Sequence, residues 1–348
     1  MAITDIRLQH FRSYDDSLFE FAPGVNIIVG PNASGKTNLL EAVLVASRGG
    51  SYRAKDAELV RFGASWARLD VHTPTHSRVV KLQAGSKSFE IDGQPLARLH
   101  QSKILPVVLF EPNHLLLLSS SPELRRNFLD DLIEQTEPTF GATRRHYRRV
   151  VSQRNSLLKK NPRDLHEQLF VWNVRLSELG GRIARLRHDL VTQFNQQISE
   201  LYGNIANQAN SIDLQYVSRF SPDNYESELL RKLEHSTDLD VLRGFTAYGP
   251  HRDDLAVYID GHPAQEAASR GETRTLVLAL KLLELRQLET VRGAKPMLLL
   301  DDVFSELDSK RRQALTRFVQ PYQTFITTTD ADVVAQHFST SNSISVSR

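Results

Sequence analysis

Gly30, Gly35, Lys36 and Thr37, in GPNASGKTNLLEA, match the spacing G-x-x-x-x-G-K-[ST] directly after the apolar run VNIIV. Few features constrain a fold more tightly. A buried strand has to deliver such a loop and a helix has to leave it. Backbone N–H groups then curl around phosphate oxygens, and the positive end of the helix dipole faces the anion. Lys36 is expected to reach the β- and γ-phosphates, and the Thr37 hydroxyl a Mg²⁺ ion. Gly30, Pro31, Asn32, Ala33, Ser34, Gly35, Lys36 and Thr37 together form the expected nucleotide cradle. A glycine-rich turn that binds nothing would not need this strand and helix context.

The metal needs an acidic partner, and PMLLLDD (296–302) supplies an apolar strand ending in two carboxylates. Asp301 is expected to hold Mg²⁺ directly or through water. Asp302 is expected to orient or activate the attacking water, which makes it, with Lys36, the expected catalytic pair. About 260 residues separate the two motifs. Small GTPases and simple kinases keep them much closer. The arrangement resembles the split heads of ABC-type ATPases, including the SMC group.

The 348 residues suffice for two domains, and 40% of them are hydrophobic. Cysteine is absent, which excludes disulfides, thiolate zinc sites and a cysteine nucleophile. The apolar runs are too short for a bilayer and the N-terminus has no secretory h-region, so a cytoplasmic protein without membrane contact is expected. Net charge is +2, yet residues 140–190 hold twelve Lys/Arg against four Asp/Glu, a local charge of +8. Such asymmetry fits either a polyanion contact or a solvated helix face. Strand patterns fill residues 2–29, 66–95 and 105–110, with Asp92-Gly93 as a hairpin turn. Helical spacing runs from about 122 to 207, broken at Asn161-Pro162. Strand and helix patterns alternate again to the end. The expected fold class is α/β: an ABC-type, SMC-like ATPase head formed by 1–120 and 208–348, with an inserted helical arm domain at 121–207.

Three shorter stretches fit the same frame. SRGETRT opens a helix where ABC-type heads carry their signature motif, so Ser269 and Gly271 are expected to touch the γ-phosphate held by an opposite subunit. SELD (305–308) follows the acidic strand, and Thr327–Thr329 stand where many relatives have a switch histidine. Ser-x-x-Glu is also an ordinary helix cap. Further stretches then make the resemblance specific: FRSY (11–14), FEPNHLLLL with SSPELRRNFLD (110–130), QRNSLLK (153–159), YGPHRDDL (248–255) and DDVFSELD (301–308). Across nearly its full length the chain resembles the RecF family of recombination mediators.

The resemblance implies an ATP-dependent homodimer with ATP and Mg²⁺ between two heads, and a weak, DNA-stimulated ATPase used as a switch. It implies binding to gapped, single- and double-stranded DNA. RecR- and RecO-type mediators, loading of a RecA-type recombinase and a part in the SOS response follow from it too. Arg12, in FRSY, is expected near the nucleotide. Arg144, Arg145, Arg148 and Arg149 are the expected DNA contacts, neutralising phosphates without reading bases. Two departures stand out. Glu272 replaces the usual Gln of the signature, placing a carboxylate near a neighbour's phosphate unless Arg270 or Arg274 neutralises it. Glu111 and Asn113-His114 replace a Pro-Glu-Asp-type sequence. The alternatives are a transporter ATPase subunit or another SMC-like head. A transporter subunit would be shorter, with a Gln-bearing loop and a switch histidine.

Overall fold

A computed structural model describes residues 2–83 and 85–347, in two compact units. The first comprises Met1–Leu115, Asn204–Asn207 and Arg274–Arg348; the second comprises Leu116–Gly203 and Gln208–Thr273.

The first unit contains two sheets. Strands β1 (Asp5–Phe11), β2 (Tyr14–Glu20), β4 (Trp66–His72), β5 (Ser77–Gln83), β6 (Ser86–Ile91) and β7 (Gln94–Leu96) form an antiparallel sheet in the order β2-β1-β4-β5-β6-β7. β4 reads WARLDVH, and its Ala67, Leu69 and Val71 are buried between less buried neighbours, as one packed face requires. The Asp92-Gly93 turn lies between β6 and β7, with both residues at positive φ (50° and 78°), the geometry of a two-residue hairpin loop. Strands β3 (Val25–Val29), β8 (Val107–Phe110), β12 (Met297–Asp301), β13 (Thr324–Thr328) and β14 (Asn342–Ser345) make a parallel sheet in the order β14-β3-β13-β12-β8. Every residue of β8, β12 and β13 is buried, which is why β8 (VVLF) and the first four residues of β12 (MLLL) read as apolar runs. The tail pattern near residue 342 is an edge strand, β14, parallel to β3. Register pairs Asp301 with Thr327, and Thr328 with Val29. The carboxyl ends of β3, β13 and β12 therefore lie side by side, and ligands of parallel sheets bind at such ends.

The second unit joins the helices Pro122–Thr136, Phe140–Lys160 and Leu165–Asn195 to β9 (Ile212–Val217), β10 (Asp254–Ile259) and β11 (His262–Pro263). Asn161 ends the second helix at φ 44°, its N–H donating to the Leu157 carbonyl at 2.9 Å, and Pro162 prevents continuation. The contacts divide the chain elsewhere than the expected boundaries, since 208–273 cluster with the arm helices. The cause is local pairing: Asn195 exchanges two hydrogen bonds with Leu214 of β9 (2.7 and 2.8 Å).

Buried ion pairs hold this unit, and they account for the most specific sequence motifs. Arg125, in SPELRRNFLD, grips Asp254, in GPHRDDL, with two bonds of 2.8 Å, and Arg126 donates to the Asp253 carbonyl at 2.7 Å. Asp253 accepts from Tyr216 and Tyr225 at 2.7 and 2.8 Å. Arg187 binds Asp130 and the Pro250 carbonyl. His251 donates from Nε2 to the Thr246 carbonyl and accepts the Tyr147 hydroxyl at Nδ1. Burial pushes its pKa down to about 4, so the ring stays neutral. Arg154, of QRNSLLK, is fully buried and donates to Asn173, Asp240 and Thr246 (2.8, 2.7 and 2.9 Å). Among the described residues no helix is long and apolar enough to cross a membrane.

Candidate functional site

The phosphate loop leaves β3 and enters the helix Lys36–Arg48. Two of its positions have no room for a side chain. A Cβ on Gly30 would lie 2.2 Å from the Val346 carbonyl oxygen, and one on Gly35 would lie 2.9 Å from Ser13 Oγ, with φ already at +115°. Ala33 also takes a left-handed φ of 64°. Lys36 Nζ donates to the carbonyls of Gly30 (2.7 Å) and Pro31 (2.9 Å), so the loop folds around its own cation. Ser34 Oγ is buried with no hydrogen-bond partner. An orphaned buried hydroxyl costs about 1–3 kcal/mol, and an anion in the cradle would relieve it.

A cavity of about 400 Å³ opens against this loop. Asn32, Ala33, Gly35, Lys36, Thr37, Asp301 and Asp302 line it, so the loop and the acidic strand do meet. Thr37 Oγ1 donates to Asp301 Oδ1 at 3.0 Å. Thr327 donates to the same oxygen at 2.7 Å, and its Oγ1 accepts the Asp302 N–H at 2.9 Å. Thr327 thus braces the Asp301 carboxylate and the backbone of Asp302. Asp302 is held at φ 53°, and Ser305 Oγ donates to its carbonyl (2.6 Å) and to Oδ1 (3.0 Å). Thr37 and Asp301 offer the hard oxygen donors that Mg²⁺ prefers.

Arg12 is not among the residues lining the cavity. It forms a fork on buried Glu41 (2.8 and 2.9 Å) and donates to the Glu58 carbonyl. Arg53, which no sequence motif marks, does line the cavity. Its Nη2 donates to Asn38 Oδ1 (2.8 Å) and to Glu41 (2.9 Å). Tyr52 reaches Asp301 at 3.5 Å; burial first, then Asp301, raises its phenol above the ordinary value. Glu111 is likewise held above the carboxylate range by burial, then by Asp301.

In the second unit, Ser269 caps the helix Arg270–Arg292. Its Oγ accepts the Glu272 N–H at 3.2 Å, and Glu272 accepts the Ser269 N–H at 2.8 Å, a capping box. Gly271 lies in this first turn. The Glu272 carboxylate is thus drawn back onto the cap. In the first unit, Arg274 pairs with Glu306 at 3.1 Å, and Asp308 caps the helix Ser309–Val319.

The four arginines expected on DNA differ. Arg144 is committed to Asp130 (2.9 Å), Asp131 (3.3 Å) and Asn127 (2.8 Å). Arg145, Arg148 and Arg149 are exposed on the helix face opposite Tyr147 and Val150.

The chain matches the family model of the RecF/RecN/SMC N-terminal domain over residues 2–347. It is 36% identical over 348 residues to a Streptococcus pyogenes protein described as "DNA replication and repair protein RecF", covering 97% of this chain and 94% of the relative. A solved structure described as "the recombination mediator protein RecF-ATPrS in RecFOR pathway" superposes with a TM-score of 0.88 at 31% identity, covering 96% of this chain and 94% of that one. An SMC head bound to the C-terminal winged-helix domain of ScpA matches at TM-score 0.57 and 16% identity, covering 99% of this chain and 94% of that one, a likeness of fold alone. The chain belongs to the RecF/RecN/SMC N-terminal domain family and, within it, to the RecF family.

Proposed function

We propose that this chain is an ATP-switched, DNA-binding ATPase of recombinational repair. One observation carries the reading: Thr37 and Asp301, 264 residues apart, are joined at 3.0 Å beside a phosphate cradle. Lys36 leaves its loop carbonyls for the β- and γ-phosphates of ATP. Thr37 and Asp301 hold Mg²⁺, which when bound neutralises charge on the phosphate oxygens. Asp302 accepts the proton of the attacking water. Ser269 and Gly271 meet the γ-phosphate held by a second copy, so ATP favours a homodimer and its hydrolysis releases it. Kinship supports the wider role. The chain works with RecR- and RecO-type mediators to load a RecA-type recombinase at gapped or junction DNA and acts in the SOS response, with a weak, DNA-stimulated ATPase.

Light scattering tests the switch. Mass should double with ATP and Mg²⁺ and return to monomer with ADP, and Lys36→Arg should abolish the doubling. A monomer in every condition overturns the proposal.

Glu substitutions at Arg145, Arg148 and Arg149 are expected to weaken DNA binding by about tenfold or more at low salt. They should also flatten the log–log salt dependence by about 0.9 for each phosphate that is no longer neutralised. ATP affinity should be retained. Arg144 is left out, because reversing it breaks the pair with Asp130. Unchanged DNA affinity and salt slope would remove this face from the interface.

A further inference from the structure

The second unit contains a cavity of about 250 Å³ between the arm helices and the GPHRDD segment. Six charged side chains line it: Arg126, Arg144, Arg148, Arg187, Glu123 and Asp130, a formal charge of +2. The ion pairs divide this charge unevenly. Asp130 is shared by Arg144 and Arg187 at 2.8–3.0 Å. Among the described residues Arg126 makes one hydrogen bond, to the Asp253 carbonyl, and no ion pair within 4 Å. Arg148 has neither a hydrogen bond nor a carboxylate within ion-pair distance among the described residues. Arg126 is half-buried, and its guanidinium is held below its ordinary pKa by burial, then by neighbouring Arg187, whereas Arg148 is exposed at the rim. Four guanidinium groups thus face this hollow against the two carboxylates in its lining, Glu123 and Asp130, and the excess positive charge is what an entering anion neutralises.

We propose that this cavity is a phosphomonoester site, in which Arg126 and Arg148 take the phosphate oxygens. The charge selects the ligand. A backbone phosphodiester carries one negative charge, whereas a monoester carries about −1.5 to −2 at pH 7 and so balances the pocket. Arginine's fork suits the oxygens geometrically. Tyr147 does not compete, since its hydroxyl is given to His251 at 2.6 Å. Val151 and Ile183 add an apolar wall for the carbon-bearing side of an ester. A monoester has two sources here, a free phosphate compound or the terminal phosphate of a DNA strand. The second source rests on the DNA-binding function proposed above; the site itself does not.

The test has two arms. In the first, phenyl phosphate, a simple phosphomonoester, is titrated calorimetrically into the full-length Lys36→Ala protein, which weakens the phosphate loop, and into the Lys36→Ala/Arg148→Gln protein. Adding Arg148→Gln is expected to weaken binding by about tenfold or more, the scale of one charge-assisted hydrogen bond removed. Equal titration of the two proteins overturns the site. Arg148 is exposed, so its replacement leaves the buried pairs intact. In the second arm, gapped DNA with 5′-phosphate, 3′-phosphate or hydroxyl ends is bound to the parental and Arg148→Gln proteins. Preference for one phosphorylated end, abolished in Arg148→Gln, supports a strand terminus as the ligand. Equal binding of all three DNAs, with phenyl phosphate binding sensitive to Arg148, supports a free phosphate compound. If no DNA binds at all, the proposed DNA function fails, and the phenyl phosphate arm still decides the site.

Discussion

Asp302→Asn is expected to lower kcat for ATP hydrolysis by about 10²–10⁴-fold, the contribution of a positioned general base, with little change in ATP affinity. The substitution is conservative where the backbone is demanding. Asp302 has φ 53°, a left-handed conformation that Asn tolerates as well as Asp. Its N–H stays on Thr327, and an amide oxygen still accepts from Ser305. What disappears is the negative charge able to take a proton from water. If hydrolysis separates two heads, the variant accumulates as the ATP-bound dimer, so light scattering at successive times should show a doubled mass that persists where the parental protein reverts. Turnover at the parental rate would show that Asp302 is not the group acting on water. Glu111 would then be the next carboxylate to replace, since burial and Asp301 already bias it toward holding a proton.

The parts of the site legible in the sequence are those in which chemistry demands contiguous residues. A phosphate cradle must be built from successive backbone N–H groups, so GPNASGKT is visible as a string, and the strand before Asp301 announces itself because both its faces are buried. Arg53, Tyr52 and Glu41 carry no such signal. They reach the cavity or its surround from a loop and a helix interior, and each reads as an ordinary surface arginine, a tyrosine, or a glutamate in a helix. Arg12 stands out through its motif, yet its guanidinium serves Glu41, so its connection to the cavity runs through Arg53. The arm shows the opposite case. SPELRRNFLD and GPHRDDL are visible as motifs, but only folding shows that they grip each other through Arg125 and Asp254. The +8 local charge reads as one field along the sequence. Arg144, Arg154 and Arg187 commit theirs to buried carboxylates, which leaves Arg145, Arg148 and Arg149 to face outward.

Glu41→Gln should have the largest effect on stability, about 3 kcal/mol, as expected when a buried carboxylate is removed from cations it pairs with. Glu41 has no exposed side-chain surface. It accepts from Arg12 Nε and Nη2, from Arg53 Nη2 at 2.9 Å and from Ser51 Oγ at 2.5 Å. Gln offers one oxygen to these donors and points two N–H groups at the rest. Burial alone would raise the Glu41 carboxyl pKa, but the bonds from Arg12 and Arg53 outweigh it and hold the group below the usual carboxylate value. The sign of the pH dependence follows. A depressed folded pKa gives stability that is fully present above the unfolded value, about 4.3, and lost as pH falls through the folded one. Urea denaturation should therefore show a constant gap between parental and variant proteins from pH 7 to about 5, narrowing below that. Equal stability at pH 7 would mean that the arginines find water as readily as they find Glu41. The same variant bears on function, because Arg53 would lose its carboxylate partner and keep Asn38 and the Tyr52 ring to hold it over the cavity. ATP affinity should weaken along with stability, and an Arg53→Ala protein that loses affinity without losing stability would separate the arginine's part in binding from the carboxylate's part in folding.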